Sequence, residues 1–494
     1  MPARILTVVG RVEVVVFLLA AVFRALVVVS SGALRANFGY DAAVYFAGSD
    51  ALTFGRMPYR DFVYLHPPGE LLALAPWAAL TRVLDDPTSF LVANLSMALV
   101  GATNAVLVVR VCRYLGLGGR AALVGGLFYA TWFGAVGAEY LTKLEPVGNL
   151  FFLTGLLLAL RARRAPGAWL GTAAGAALGL AVCVKIWWVV PVAAVVVWCA
   201  RGAARPRRAL ALLGSGVVGA GLVVTAPFFL AAPGPMWSSV VVAQLGRHPS
   251  RNPLPRLADL GTFIRLDGPL PGSAVAAGTV LTAAVFLLVV LRAWSVTGAR
   301  GIVVVLGLQL VVLLAAPSWF PYYCDYLAGS MAVTVAAAAA PRPHLRIATT
   351  VADWMPTVLV SAVTLVVLAT GAAALRPLPG AEALARSVAG SRCVMSDAPM
   401  ALIELDALSR GLAAGCPNWV DVTGRTYGPD RASGPRATNA RWQTELTQYL
   451  RSGDAVTIFR RGGTGVSPST QAAISRDGVL AHAGGQTVYR IRHP

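Results

Sequence analysis

The stretch FGYDAAVYFAGSDALTFGRMPYRDFVYLHPPGE, residues 38–70, gathers Asp41, Asp50, Asp61, His66 and Glu70. The rest of the chain is mostly Val, Leu and Ala in long runs. A positioned carboxylate can take the proton from an attacking hydroxyl, and Asp41 is the candidate for that work. In YDAAVY it stands one turn before Tyr45 if the segment is helical; a helix cap or a solvated loop acid is the plainer reading. Asp61 follows Arg60, which suggests an ion pair. His66 precedes Pro67, which favours an extended backbone; its imidazole can donate a proton, bind a metal or hydrogen-bond locally.

Further ionisable residues interrupt the apolar runs. Glu145, close to Glu139 and Lys143, opens EPVGNLFFLTGLLLAL. A carboxylate at a helix N-terminus is favoured by the dipole, by under about 1 kcal/mol when exposed; an ionisable group at a membrane edge is also a functional candidate. Lys185, between CV and IWWVV, must snorkel or meet an anion, and Arg24 poses the same choice. QLGRHPSRNPLPRLADLGTFIR offers Arg247, His248, Arg251 and Arg256 to an anionic substrate, a lipid headgroup or solvent. SWFPYYCDYLAG brings Trp319, Tyr322, Tyr323 and Asp325 together; an aromatic belt explains the rings and leaves Asp325 unexplained. No CxxC or His/Cys cluster has metal-ligand spacing, so no metal ligands are assigned.

These residues must be positioned by membrane helices. Hydrophobic residues make up 57% of the 494 and charged residues 13%, against about a quarter charged in soluble proteins. The net charge of +19 rests on arginine, with Lys143 and Lys185 as the lysines. The arginines cluster between apolar runs, which fits membrane topology and argues against nucleic acid. Eleven runs approach the length of a crossing: 14–30, 90–109, 121–138, 144–160, 168–184, 186–200, 209–230, 274–291, 302–316, 326–340 and 354–375. The first reads as an uncleaved span rather than a signal peptide.

With the N-terminus inside, the inner loops carry RVCRYLGLGGR, RARRAPG, RGAARPRR, LRAWSVTGAR and PRPHLR. All are basic and none contains a carboxylate, with Asp353 nearby as the exception. The first outer loop, 31–89, and a second, 231–273, then face outward, as does everything after Arg376. PPGELLALAPWAALTRVL, 67–84, reads as a helix on the outer interface. After 375 the composition changes. CVMSDAPMALIELDALSRG reads as a strand, a turn and a helix; NWVDVT, AVTIFRR and QTVYRIR read as strands, and ARWQTELTQYLRSG and SPSTQAAISRDG as helices. The expectation is an α-helical polytopic membrane protein, N-in and C-out: a membrane domain over 1–375 and a small extracytoplasmic α/β domain over 376–494. Outside the cytoplasm a disulfide is permitted, which pairs Cys393 with Cys416; two buried thiols are the alternative.

In this order, these pieces resemble the GT-C superfamily of membrane glycosyltransferases. Its members include protein O-mannosyltransferases, lipid A aminoarabinose transferases and actinobacterial mannosyl- and arabinofuranosyltransferases. YDAAVY followed by GRMPYRDFVYLHPPGELLALAPWAAL looks like the family's first outer loop. LEPVGNLFFLTGLLLAL is similar to the segment with a second acid, SWFPYYCDYLAG looks like the aromatic turn before a late span, and CVMSDAPMALIELD and NWVDVTGR resemble the α/β domain of actinobacterial members. Where the protein O-mannosyltransferases carry Asp-Glu, Asp41 is followed by Ala42, so a two-carboxylate or divalent-cation scheme is an option and not an assignment.

The resemblance implies an inverting transferase in the plasma membrane. It would move mannose or arabinofuranose from a polyprenyl-phosphate donor to an envelope glycan or glycolipid on the outer side. Asp41 would be the base; Lys185, Arg247 and Tyr322 would bind donor phosphate; Glu145, Asp61, His66, Tyr323 and Asp325 would support the base or hold acceptor. The competing reading is a transporter or flippase for a lipid-linked sugar or other envelope precursor. That class usually shows paired broken helices in repeated halves, and no halves repeat here.

Overall fold

The computed structural model describes residues 2–30, 39–165, 167–245, 253–261, 271–341, 349–370, 379–427 and 435–493. Among the described residues six helices are long and apolar enough to cross a bilayer: Gly10–Val29, Asp86–Tyr114, Leu144–Arg164, Pro206–Ala231, Gly272–Trp294 and Thr297–Ala315. The run expected at 121–138 is two helices, Gly119–Thr131 and Phe133–Glu139, bent by 52°. Trp132 causes the break, with extended dihedrals of φ −66° and ψ 123°. Lys185 divides the next two runs the same way. Its φ of −148° and ψ of 127° end Ala168–Val184, and a 3-10 turn, Ile186–Trp188, leads into Val189–Arg201. The run at 326–340 is shortened to Ala328–Ala338, after a 3-10 segment Pro321–Leu327.

The chain forms two compact units. The first comprises Met1–Ser31, Ser96–Thr225 and His248–Ala374. Its core is Ala, Val and Leu from many helices. Small residues let backbones approach, as membrane helix packing requires; a Cβ on Gly216 would lie 2.7 Å from the backbone nitrogen of Ala176. Outward faces stay apolar, with Val218, Leu222 and Val223 exposed on one helix and Val280 and Leu287 on another. Ion pairs tie helix ends together. Glu13 bridges Arg110 and Arg113, and Asp353 bridges Arg120 and Arg292. Asp353, close to the basic stretch PRPHLR, therefore neutralises arginines from two other helices.

The second unit comprises Gly32–Leu95, Ala226–Arg247 and Leu375–Pro494, so part of the first loop packs with the C-terminal region. It holds a four-stranded sheet in the order β1-β2-β4-β3, with β1 at Val394–Ser396, β2 at Ala455–Thr457, β3 at Val479–Ala483 and β4 at Gln486–Arg490. β1 and β2 are parallel and the other pairings antiparallel. β3, unread in the sequence, forms a hairpin with β4 through Gly484 and Gly485, at φ 58° and 80°; Gly-Gly suits the positive φ of a two-residue hairpin turn. NWVDVT is not a strand. Asp421 folds it into a turn by accepting from the Gly424 nitrogen at 2.7 Å and the Thr423 hydroxyl at 3.2 Å. Cys393 and Cys416 form a disulfide.

Candidate functional site

Two groups of polar residues stand out, one in each unit. In the second unit the helix Tyr40–Thr53 begins after Gly39, whose φ of 82° suits glycine. Asp41 lies half-buried in its first turn, with Gly39 in the N-cap position. Next to it, the Tyr40 hydroxyl donates to Asp421 Oδ1 at 2.9 Å and accepts from the Thr423 nitrogen at 2.8 Å. The Arg460 guanidinium lies 4.2 Å from the Tyr40 ring centroid. The start of the Asp41 helix is thus fastened to the turn that the sequence had suggested as a strand. The rest of that helix is buried from Ala42 to Ala51.

The remaining first-loop residues build the surroundings. His66 is buried, with Nε2 3.3 Å from the Tyr45 hydroxyl, and its carbonyl accepts from Tyr59 at 2.6 Å. This is the local hydrogen bonding that its position before Pro67 allowed. Asp61 is exposed. It pairs with Arg60 through both oxygens at 2.8 Å and accepts from the Met57 nitrogen; the Arg60 hydrogen bond holds its carboxyl below the usual range. The helix Gly69–Ala78 buries Glu70, Leu71 and Leu74 and exposes Leu72 and Trp77. Asp50 is fully buried. Thr81 donates to its Oδ1 at 2.9 Å, and Oδ2 has no hydrogen bond among the described residues. Burial, reinforced by Asp86, pushes its pKa up to about 7.

In the first unit the sequence candidates meet inside the bundle. Lys185 Nζ donates to Glu145 Oε1 at 2.6 Å, and both side chains are at most 2% exposed. The ammonium also lies 3.7 Å from the Trp187 ring centroid and 3.9 Å from that of Tyr323. Lys143 lies 4.0 Å from the ring centroid of Tyr322, which stands edge-on to Tyr323. Asp325 is fully buried, and Asn149 donates both to its Oδ1 at 3.1 Å and to its carbonyl at 2.8 Å. Arg24 neither snorkels nor faces lipid: it pairs with Glu139, which also accepts from Tyr129 at 2.6 Å and Asn104 at 3.0 Å. The sequence named the charges and missed Tyr129, Asn104 and Asn149; a polar residue within an apolar run was the available signal.

The basic second loop divides. Arg247, His248 and Arg251 lie outside the described residues. Arg256 is turned inward. It is buried and donates to the carbonyls of Leu313, Leu314 and Ala316, closing the end of the helix Arg300–Ala315. No group of His, Cys, Asp and Glu among the described residues could hold a metal.

No protein-family model and no curated protein sequence matches the chain. Solved structures do. ArnT from Cupriavidus metallidurans, bound to undecaprenyl phosphate, superposes with a TM-score of 0.60 at 17% identity, covering 96% of this chain and 97% of that one. Its apo state gives the same values. The Archaeoglobus fulgidus oligosaccharyltransferase gives a TM-score of 0.52 at 12% identity, over 90% of this chain and 68% of that one. Both are GT-C-fold glycosyltransferases. The chain has the GT-C fold. Its long apolar helices support a multi-pass membrane protein. At these identities the likeness establishes the fold, and the chemistry must be argued from the residues.

Proposed function

We propose that the chain is an inverting glycosyltransferase that moves a sugar, mannose or arabinofuranose, from a polyprenyl-phosphate donor to an envelope glycan or glycolipid. The observation that carries this reading is the end-to-end likeness to a structure holding undecaprenyl phosphate. In the proposed step the acceptor hydroxyl attacks the anomeric carbon while Asp41 takes its proton. The bond from that carbon to the phosphate oxygen breaks through an oxocarbenium-like state, and polyprenyl phosphate leaves. Its growing negative charge calls for preorganised cations. Lys185, Arg247 and Tyr322 are the groups proposed to bind the donor phosphate. Tyr323, Glu145 and Asp325 hold Lys185 and its surroundings, and Asp61 and His66 shape the loop that carries Asp41.

The proposed orientation is N-in and C-out, with the site and residues 376–494 on the extracytoplasmic side. Five basic loops without carboxylates support it. The decisive test is transfer in membranes supplied separately with radiolabelled polyprenyl-phosphate mannose and arabinofuranose, comparing wild type with equally expressed Asp41→Asn. The expected result is transfer from one donor and at least a hundredfold loss in the variant. An unchanged rate in Asp41→Asn removes the base assignment. Transport of the lipid-linked sugar without transfer removes the enzyme.

A further inference from the structure

The helices Leu144–Arg164 and Ala168–Val184 form an antiparallel pair, with Glu145 and Lys185 at one end. Arg163 stands 18 residues after Glu145 along its helix, about 27 Å at 1.5 Å per residue, close to the thickness of a hydrocarbon core. At that opposite end a cavity of about 430 Å³ opens between these two helices and the neighbouring Val189–Arg201 and Pro206–Ala231. Arg163, Arg205 and Arg208 line it together with buried Cys199 and Leu213, and no carboxylate does. The Arg163 Nε reaches the Gly202 carbonyl at 3.4 Å. The guanidinium groups of Arg205 and Arg208 are exposed and make no ion pair among the described residues. Elsewhere on the basic loops arginines do find carboxylates, as Arg110, Arg113, Arg120 and Arg292 show.

We propose that this cavity is a binding site for the headgroup of an anionic glycerophospholipid, at the membrane face opposite the Lys185–Glu145 pair. Membrane topology alone accounts for arginines in the loop. It does not require a concavity with an apolar floor beneath them. A phosphodiester that carries acyl chains needs both parts: guanidinium groups for the phosphate and an apolar wall for the first carbons of the chains. The walls have room because they are built from small residues, Gly171 and Ala204 among them.

The test uses the full chain purified in detergent, with phosphatidylglycerol and phosphatidylcholine as probes and native mass spectrometry as the readout. Wild type is expected to retain phosphatidylglycerol in preference to phosphatidylcholine. Arg205→Gln/Arg208→Gln should weaken that binding about 25-fold, about fivefold or 1 kcal/mol for each arginine. Ala204→Trp should abolish it by filling the cavity with the charge intact. If the arginine variant weakens binding and Ala204→Trp does not, the attraction is diffuse surface charge and the site falls. Undecaprenyl phosphate displacing phosphatidylglycerol at equal concentration would make the cavity a carrier-lipid site and overturn the proposal too. Should a variant fail to fold, hydrogen exchange on wild type decides. Phosphatidylglycerol must protect 159–171 and 199–213 where phosphatidylcholine does not, and absent or uniform protection overturns the site.

Discussion

Glu145→Gln would take a carboxylate away from a buried ammonium. Lys185 Nζ lies 2.6 Å from Glu145 Oε1 with both side chains at most 2% exposed, so solvent screens the pair little. Breaking such a pair from one side costs about 3–5 kcal/mol, because the remaining charge stays desolvated; an exposed pair would lose about 0.2–1 kcal/mol. The rings of Trp187 and Tyr323 still face the ammonium in the variant, which places the loss toward the lower figure. Lys185→Met/Glu145→Gln removes both charges and should recover most of the stability. Unfolding midpoints in detergent measure this, and transfer rates in membranes measure function on the same proteins. If Lys185 meets the leaving phosphate, the double variant is folded and slower by about 10²–10³, the usual loss of one preorganised donor. Two results would refute the reasoning. A Glu145→Gln protein as stable as wild type means the pair is not desolvated. A double variant with the wild-type rate means Lys185 is structural only.

Other perturbations test the surroundings. Asp50 has its pKa pushed up to about 7 by burial, against an ordinary 3.8; the folded chain therefore keeps a proton that the unfolded chain releases near pH 4. Its contribution to stability is complete below that pH and is lost as pH rises through 7. The gap of about three pH units sets a ceiling of about 4 kcal/mol. Asp50→Asn should thus gain on wild type between pH 5 and pH 8 in unfolding midpoint, and a constant difference would contradict the burial argument. Gly101→Ala would place a Cβ 2.6 Å from Glu139 Oε2, against the pair that Glu139 forms with Arg24. Overpacking of this kind costs about 1–3 kcal/mol, and a thermal midpoint equal to wild type would show that the site yields.

Much of this protein was legible because hydropathy is a local property. Apolar runs, basic loops and the break in composition near residue 376 each sit in a short window of sequence, and so do YDAAVY and the Pro-Pro motif that suggested the GT-C fold. Asp41, Glu145, Lys185 and Asp325 were visible as charges out of place. Their partners were not. Glu145 and Lys185 are 40 positions apart, Arg24 and Glu139 are 115, and Tyr40 and Asp421 are 381. A periodic pattern shows that a residue is on a helix without showing which distant side chain stands opposite. The structure also decided how broken helices end. Trp132 and Lys185 leave the helical region within runs that read as nearly continuous, since membrane burial penalises unsatisfied backbone only where no neighbour supplies a partner. Arg256 shows the same limit: beside Pro and Leu it read as a cation for an anionic substrate, a lipid headgroup or solvent, and packing turned it toward three helix-end carbonyls. Sequence alone determined what the chain dissolves in and which residues carry charge. Tertiary structure decided which charges neutralise each other, because that depends on contacts between segments far apart along the chain.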